Sequence, residues 1–331
     1  MLQRALITGV PGFAGSFLAE HLLACGDAVL GCSPDGRWER SSPQSLRDSV
    51  ELVAWDLANP QGIADPQGIS RQGRRRIEEF RPDSIYHLAA LSVPEDCGKE
   101  DVVAAAVAVN VDGTRRVMGL AASLPSRPRV LFTSSSHVYA PVSPQLDATA
   151  HSPKVDETAP LGPRWGYGRS KLAAEGEVRR AIQRHGCDAV IARSFQHTGP
   201  RQNPRMMLPE WICQFLAGGS EPVKVHTADA QIDLTDGRDV VRAYRSLVEH
   251  GRPGGVYNVG SGVSRRSGDV LEMLRQMVDP QRPVVELRPG RKQDPIADIS
   301  RLVGCTGWQP AIPLEKTVAD TLAWWRLYLA G

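Results

Sequence analysis

Apolar positions along the chain gather into short continuous runs at 5–8, 28–32, 51–54, 84–88, 130–134 and 189–193, each bounded by glycine, aspartate or serine. Runs that are apolar throughout, rather than alternating, are the signature of strands covered on both faces. Helical spacing separates them, predicting helices over 14–25, 70–80, 101–123 and 167–185, the third stopping at the Leu124-Pro125 break. Strands and helices in strict alternation predict a doubly wound α/β fold around a parallel sheet. Past residue 196 the alternation lapses. Pro200, Pro204, Pro209 and Gly218-Gly219 mark loops around a helix near 207–217. A helix over 237–250 leads into a strand at 256–259, and helices over 267–278 and 314–328 close the chain. The expected organisation is a large body of residues 1–196 and 229–261 with an interleaved cap of 197–228 and 262–331. Polar stretches at 33–49 and 141–163 are long for connections in a compact domain, which makes them candidates for a functional site.

Composition narrows the function classes. The 331 residues are 41% hydrophobic and 23% charged, as in a globular chain with a substantial core. Lys+Arg 39 against Asp+Glu 37 leaves a net charge of +2. That balance argues against nucleic acid or an anionic membrane as the main partner and leaves a small anionic ligand open. No apolar run approaches twenty residues and no charged-then-apolar leader is visible, so the expected location is the cytoplasm. Six scattered cysteines without metal-ligand spacing are expected to be reduced thiols, with no metal site. Arg71, Arg74, Arg75, Arg76 and Arg81 are expected to form a solvated helix face. Lysines number only six, so one that falls within a motif stands out.

The first strand runs into Thr8-Gly9-Val10-Pro11-Gly12-Phe13-Ala14-Gly15 as a helix opens. Glycines there permit a tight turn and close backbone approach to a pyrophosphate seated on the helix N-terminus, the Rossmann way of binding a dinucleotide. The second strand ends at Ser33, where an acidic residue would mark a ribose 2′-hydroxyl. Arg37 is suited to clamp a 2′-phosphate with Ser33 donating to it, so NADP(H) is favoured, while Asp35 keeps NAD(H) open. On the predicted helix 167–185, Tyr167 and Lys171 stand at i and i+4, on one face. The lysine's charge favours a tyrosinate, which would bring the phenol's titration toward neutrality and fit Tyr167 for acid–base work. Ser134-Ser135-Ser136 ends the fifth strand and offers a hydroxyl for the same substrate oxygen.

These features, with Asp56-Leu57, His87-Leu88-Ala89-Ala90, Asn110-Val111-x-Gly113-Thr114, Val138-Tyr139 and Arg193-x-Phe195, resemble the extended short-chain dehydrogenase/reductase family of sugar-nucleotide enzymes. Within it the chain is most similar to GDP-4-keto-6-deoxy-D-mannose reductases. That likeness is carried by Phe195-x-His197-x-Gly199-Pro200-x-Gln202, Asp233-x-Thr235-Asp236-x-Arg238-Asp239, Leu287-Arg288-Pro289 and the tail from Thr306 to Lys316. The resemblance implies a Rossmann body that binds NAD(P) and a cap that binds the sugar nucleotide. It makes Ser135 the catalytic hydroxyl, Tyr167 the proton donor, and Lys171 the residue that binds the nicotinamide ribose and tunes Tyr167. Asp56 would hold adenine beside Leu57. Leu88, Ala89 and Ala90 would line the cofactor, Asn110 would support the lysine, and His197 would touch the cofactor. Ser92, Ser136, His137, Gln196 and Gln202 would line the sugar nucleotide, GDP-linked by preference, and Arg288 would meet its diphosphate. The family also implies a homodimer that pairs the helices near 101–123 and 167–185 in a four-helix interface.

One position separates reaction types. The family's 4,6-dehydratases follow the catalytic hydroxyl with carboxylates that work on C5 and C6, whereas this chain has Ser136-His137. Dehydration is disfavoured and plain hydride transfer favoured, the product expected being GDP-D-rhamnose. His137 is either a proton carrier or an ordinary loop histidine. The rivals are a 4-epimerase with tightly held NAD, and a dinucleotide sensor without turnover. Two positions depart from the family pattern: Ile232 stands where an arginine often meets the diphosphate, and Gln196 where asparagine is common. Arg201, Arg205, Arg288 and Arg291 are candidates to replace the missing anchor.

Overall fold

The computed structural model describes residues 3–58, 65, 67–141 and 153–331. Seven strands form one all-parallel sheet in the order Val256–Val259, Ala189–Ser194, Arg129–Ser135, Ser84–His87, Arg4–Thr8, Ala28–Ser33 and Glu51–Ala54. Chain order reverses on either side of Arg4–Thr8, so the connections leaving the strand ends diverge there and open a crevice. Both faces are covered, which is why the strands read as unbroken apolar runs. Phe13–Ala24 and Gly237–His250 bury Phe17, Leu18, Leu22, Val240 and Leu247 on one face. Arg71–Phe80, Gly113–Ser123 and Gly166–His185 bury Ile77, Val117, Leu120 and Val178 on the other. The arginine-rich helix turns its charges to solvent, pairing Arg74 with Glu78 at 2.8 Å and Arg75 with Glu79 at 2.7 Å.

A second core holds the cap together. Helices Met207–Leu216, Ser267–Val278 and Leu314–Ala330 pack Leu208, Trp211, Leu274, Val318 and Trp325 against a four-stranded sheet. Its central strand, Ala230–Asp236, pairs antiparallel with Ser264–Arg266 and parallel with Lys292–Gln293 and Gln196–Thr198. The body and cap are therefore interleaved more finely than the sequence predicts. Ala230–Asp236 sits in the cap's sheet rather than the large one, while helix Ser300–Thr306 puts Leu302, with Trp308 beyond it, into the body's core.

The reason lies in three carboxylates at i, i+3 and i+6. Asp233 accepts from the backbone N–H groups of Ser261, Gly262 and Ala297 at 2.7–3.0 Å. Asp236 caps Gly237–His250 and accepts from the Thr317 hydroxyl at 2.8 Å. Asp239 accepts from Ala311 and Ile312 N–H at 2.8 Å each. A motif that carries the family resemblance in the sequence thus serves to pin later segments of the chain to the strand–helix junction.

Two further departures are local. The predicted helix over 101–123 is a turn at Ala104–Ala106, a π-type turn at Val107–Asp112 and then Gly113–Ser123. The wide turn surrounds Asn110, whose amide bonds both the N–H and the carbonyl of Leu91 at 2.8 and 3.1 Å. The stretch 33–49 contains a short helix, Gln44–Ser49. Of the other polar stretch, 142–152 lies outside the described residues. Among the described residues no helix is long and apolar enough to cross a membrane.

Candidate active site

A cleft of about 1610 Å³ opens at the crevice and runs between body and cap. Its floor begins at the glycine turn. Gly9 has φ +74°, and a Cβ there would lie 2.8 Å from the Ala89 backbone; one on Gly15 would lie 2.2 Å from the Gly9 carbonyl oxygen. Only glycine lets strand end, turn and helix start close up this far. Gly12, Phe13, Ala14 and Gly15 consequently present the start of the helix to the cleft, where unpaired N–H groups favour an anion. Thr8 is buried behind them, its hydroxyl 2.8 Å from His87 Nδ1 and accepting from Ala89 N–H at 3.3 Å. Burial brings the His87 imidazole down to about 3, so it is neutral, and its Nε2 lies 3.0 Å from the Thr114 hydroxyl.

The far end of this floor is lined by Ser33, Arg37, Asp56 and Leu57, with Leu88, Ala89 and Ala90 along its side. Ser33 donates to the Arg37 carbonyl at 3.1 Å, and Arg37 N–H donates to Asp35 at 3.0 Å. The Ser33 hydroxyl and the Asp35 carboxylate are thereby used within the loop, while the Arg37 side chain is exposed at the cleft. Asp56 accepts from Ala58 N–H at 2.8 Å.

At the centre, Ser135, Tyr167 and Lys171 line one wall together. Ser135 ends the fifth strand, and its hydroxyl lies beside the Tyr167 phenol, where it favours the phenolate. Lys171 is buried, with Nζ donating to the Thr133 carbonyl at 2.8 Å and lying 5.2 Å from the Phe132 ring centroid. The electrostatics correct the sequence expectation. Burial pushes the Tyr167 phenol up to about 12, against the Ser135 hydrogen bond, and brings the Lys171 ammonium down to about 8. Desolvation penalises both charged forms, and neither group shifts the other as the i, i+4 spacing suggests. Asn110 comes from the π-type turn. It lies behind the cleft wall, 1% exposed, with its amide on Leu91 and on the Ser170 hydroxyl at 2.9 Å. Through Ser170 it holds the helix one residue before Lys171.

On the cap side the cleft meets Ser92, Ser136, His137, Gln196, His197, Gln202 and Arg288. His137 lies edge-on to Tyr167, ring centroids 5.6 Å apart at 75°. Gln196 donates to Asp294 at 3.0 Å, which also takes Lys292 at 3.0 Å. His197 stacks on Phe13 at 5.8 Å, with Nδ1 2.9 Å from the Phe195 carbonyl. Gln202 is spent within its own loop, accepting from Thr198 and donating to the His197 carbonyl. Ile232 faces the cleft from the cap's core. Of the candidate replacement anchors, Arg201 is tied to Glu20 at 2.6 Å over the Phe17 ring, outside the cleft lining. Arg205 reaches the lining but pairs with Asp96 at 2.8 Å, and Arg288 and Arg291 line it at the cap's edge.

Three features escaped the sequence reading. Asp294 carries no spacing signal. Glu175, one turn beyond Lys171, forms a buried fork with Arg193 at 2.9 Å on each side and accepts from Ser134 at 2.7 Å, tying the cleft-wall helix to two strands. Gly166 and Gly168 flank Tyr167, and a Cβ on either would fall 2.1–2.2 Å from the carbonyl oxygens of Cys97 and His137. The Gly-Tyr-Gly triplet was the available signal.

Known proteins match the chain along its length. It is 26% identical over 333 residues to the GDP-6-deoxy-D-mannose reductase of Pseudomonas aeruginosa, covering 98% of each. It is 30% identical over 338 residues to the UDP-glucose 4-epimerase of Mycolicibacterium smegmatis, covering 98% of this chain and 99% of that one. Among solved structures, that of RMD from Pseudomonas aeruginosa complexed with NADPH superposes with a TM-score of 0.78 at 24% identity, covering 98% of this chain and 99% of that one. The model of the NAD dependent epimerase/dehydratase family matches residues 5–260. With its glycine turn, its Ser135–Tyr167–Lys171 wall and this end-to-end likeness, the chain belongs to that family of NAD(P)-dependent sugar-nucleotide enzymes.

Proposed function

We propose that the protein is an NADPH-dependent reductase of the C4 ketone of a nucleotide-linked 4-keto-6-deoxy sugar, with GDP-4-keto-6-deoxy-D-mannose as substrate and GDP-D-rhamnose as product. The observation that carries this reading is the convergence of the Ser135 and Tyr167 hydroxyls on one cleft wall, followed by Ser136-His137 instead of a carboxylate pair. The 26% identity over the whole length of a GDP-6-deoxy-D-mannose reductase supports it.

A bound nicotinamide dinucleotide supplies the hydride. The chain's own residues do the rest. Gly12 to Gly15 receive the pyrophosphate at the helix start, and Arg37 offers a fork to a 2′-phosphate. Ser135 and Tyr167 hold the ketone oxygen, and Tyr167, protonated through neutral pH, gives it a proton. Lys171, protonated below about pH 8, offsets the tyrosinate left behind. Arg288 is assigned to the diphosphate in place of the arginine that Ile232 replaces. The substrate binds between body and cap, and the enzyme works as a homodimer.

A second reading, a 4-epimerase that keeps its NAD bound, is favoured by the 30% identity to a UDP-glucose 4-epimerase. Purified protein with GDP-4-keto-6-deoxy-D-mannose and either NADPH or NADH separates them. The reductase consumes exchangeable NADPH mole for mole with GDP-rhamnose formed. Cofactor that co-purifies, with no net consumption, overturns the reductase in favour of the epimerase.

A further inference from the structure

The reduction described above leaves one group on the cleft wall without a task. His137 stands beside Tyr167, and its ring nitrogens make no hydrogen bond among the described residues; only its backbone N–H is engaged, donating to the Ser135 hydroxyl at 3.2 Å. The turn that carries it is pressed onto the Tyr167 helix where Gly168 admits the His137 carbonyl. Backbone contact therefore fixes the His137 backbone against the Tyr167 helix.

The groups that face His137 come from the cap. Asp294 favours its charged form and Lys292 opposes it, while burial lowers its pKa and keeps the ring neutral and able to accept a proton. Asp294 is itself held from two sides, by Gln196 and by Lys292, each 3.0 Å from Oδ2. The departure from asparagine at position 196 has a physical use here, since the extra methylene gives the amide added reach toward Asp294.

We propose that His137 removes and returns a carbon-bound proton next to the C4 carbonyl of the substrate, with Asp294 as a positioning residue across the cleft. The inference rests on the keto-sugar reading. A carbonyl acidifies the C–H bonds of its neighbouring carbons, and a group beside the one that holds the carbonyl oxygen lies beside those carbons. The imidazole nitrogen takes the proton, and the C–H electron pair becomes the C=C bond of an enolate. Tyr167 and Ser135 hydrogen-bond the enolate oxygen. The imidazolium then returns a proton to the same carbon, having exchanged with water in the open cleft. No electrons are gained or lost, so the step needs no second co-reactant.

The test is solvent exchange in D₂O. The purified enzyme is incubated with GDP-4-keto-6-deoxy-D-mannose and NADP⁺, and deuterium at the carbons flanking C4 is read by NMR against an enzyme-free blank; a parallel sample receives NADPH. The expected result is deuterium incorporation above the blank, with the ratio of exchange rate to reduction rate falling at least about tenfold in His137→Gln, the lower edge of what a positioned acid–base group contributes. Asp294→Asn is expected to lower the same ratio, which a purely structural role would leave alone. NADPH consumption without deuterium above the blank overturns the role of His137 and leaves the reductase standing. Deuterium without NADPH consumption overturns the reductase and keeps His137, and neither signal overturns both.

Discussion

Tyr167 and Lys171 show how far residue spacing carries. Their i, i+4 separation puts phenol and ammonium on one wall, as the sequence predicts, yet burial sets their titration. A phenol pushed up to about 12 stays protonated across neutral pH, which suits it to be the donor in the proposed reduction. A lysine brought down to about 8 holds its charge below that pH and loses it above. Turnover in the reducing direction is therefore expected to be flat below pH 8 and to fall above it, approaching tenfold per unit; a profile flat to pH 10 would remove Lys171 from the mechanism. Tyr167→Phe is expected to lower kcat by about 10²–10⁴-fold, with the Kd for NADPH within a few-fold of the parent. Turnover within tenfold of the parent would exclude Tyr167 as donor. Asn110 teaches the reverse lesson. The residue is recognisable in the sequence, but its partners, Leu91 and Ser170, come from chain neighbours that spacing alone does not bring together.

Elements were legible where periodicity is long and regular, and lost where side chains override it. The seven strands of the large sheet fall where the sequence predicts them; six are buried along their length, where a strand covered on both faces has no choice of residue, while the edge strand Glu51–Ala54 is partly exposed. The helix expected over 101–123 starts only at Ala104 and widens into a π-type turn at Asn110, whose amide reaches out to the Leu91 backbone. Helix Gly166–His185 is positioned by what it lacks. Gly166 and Gly168 let its first turn touch two carbonyls, and that contact aims Tyr167. Gly168→Ala places a methyl 2.2 Å from the His137 carbonyl oxygen, so helix or turn must move by about an ångström. Such a misplacement is expected to cost about 10²-fold in kcat. Gly304→Ala, in helix Ser300–Thr306 with nothing within 4 Å of the new methyl, is the control. It is expected to raise stability by up to about 1 kcal/mol, read as the denaturation midpoint, with kcat unchanged. Equal kcat values for the two variants would refute the aiming role of Gly168.

At the scale of the whole molecule, the surface around the π-type turn is apolar and open, with Val103 40% and Val107 37% exposed beside exposed Ala104 and Ala105. Arg115 and Glu177, 3.1 Å apart, join this segment to helix Gly166–His185. If copies pair through these helices, sedimentation equilibrium gives about 72 kDa, twice the chain's 36.0 kDa, and Val107→Arg shifts the species toward one chain. A parent protein that sediments as a single chain would end the dimer proposal. The sequence by itself determined the sheet's strands, the covering helices, the glycine turn and the residues of the central wall, because local periodicity, steric demands for glycine and short spacings are written in consecutive residues. Only the tertiary structure decided that Asp233, Asp236 and Asp239 are structural pins, that Gln196 reaches Asp294, and that desolvation rather than pairing governs Tyr167 and Lys171. Hydrogen bonds across some 30 to 100 residues and the burial of a charge depend on which segments meet in space, and that is settled by packing the two cores together.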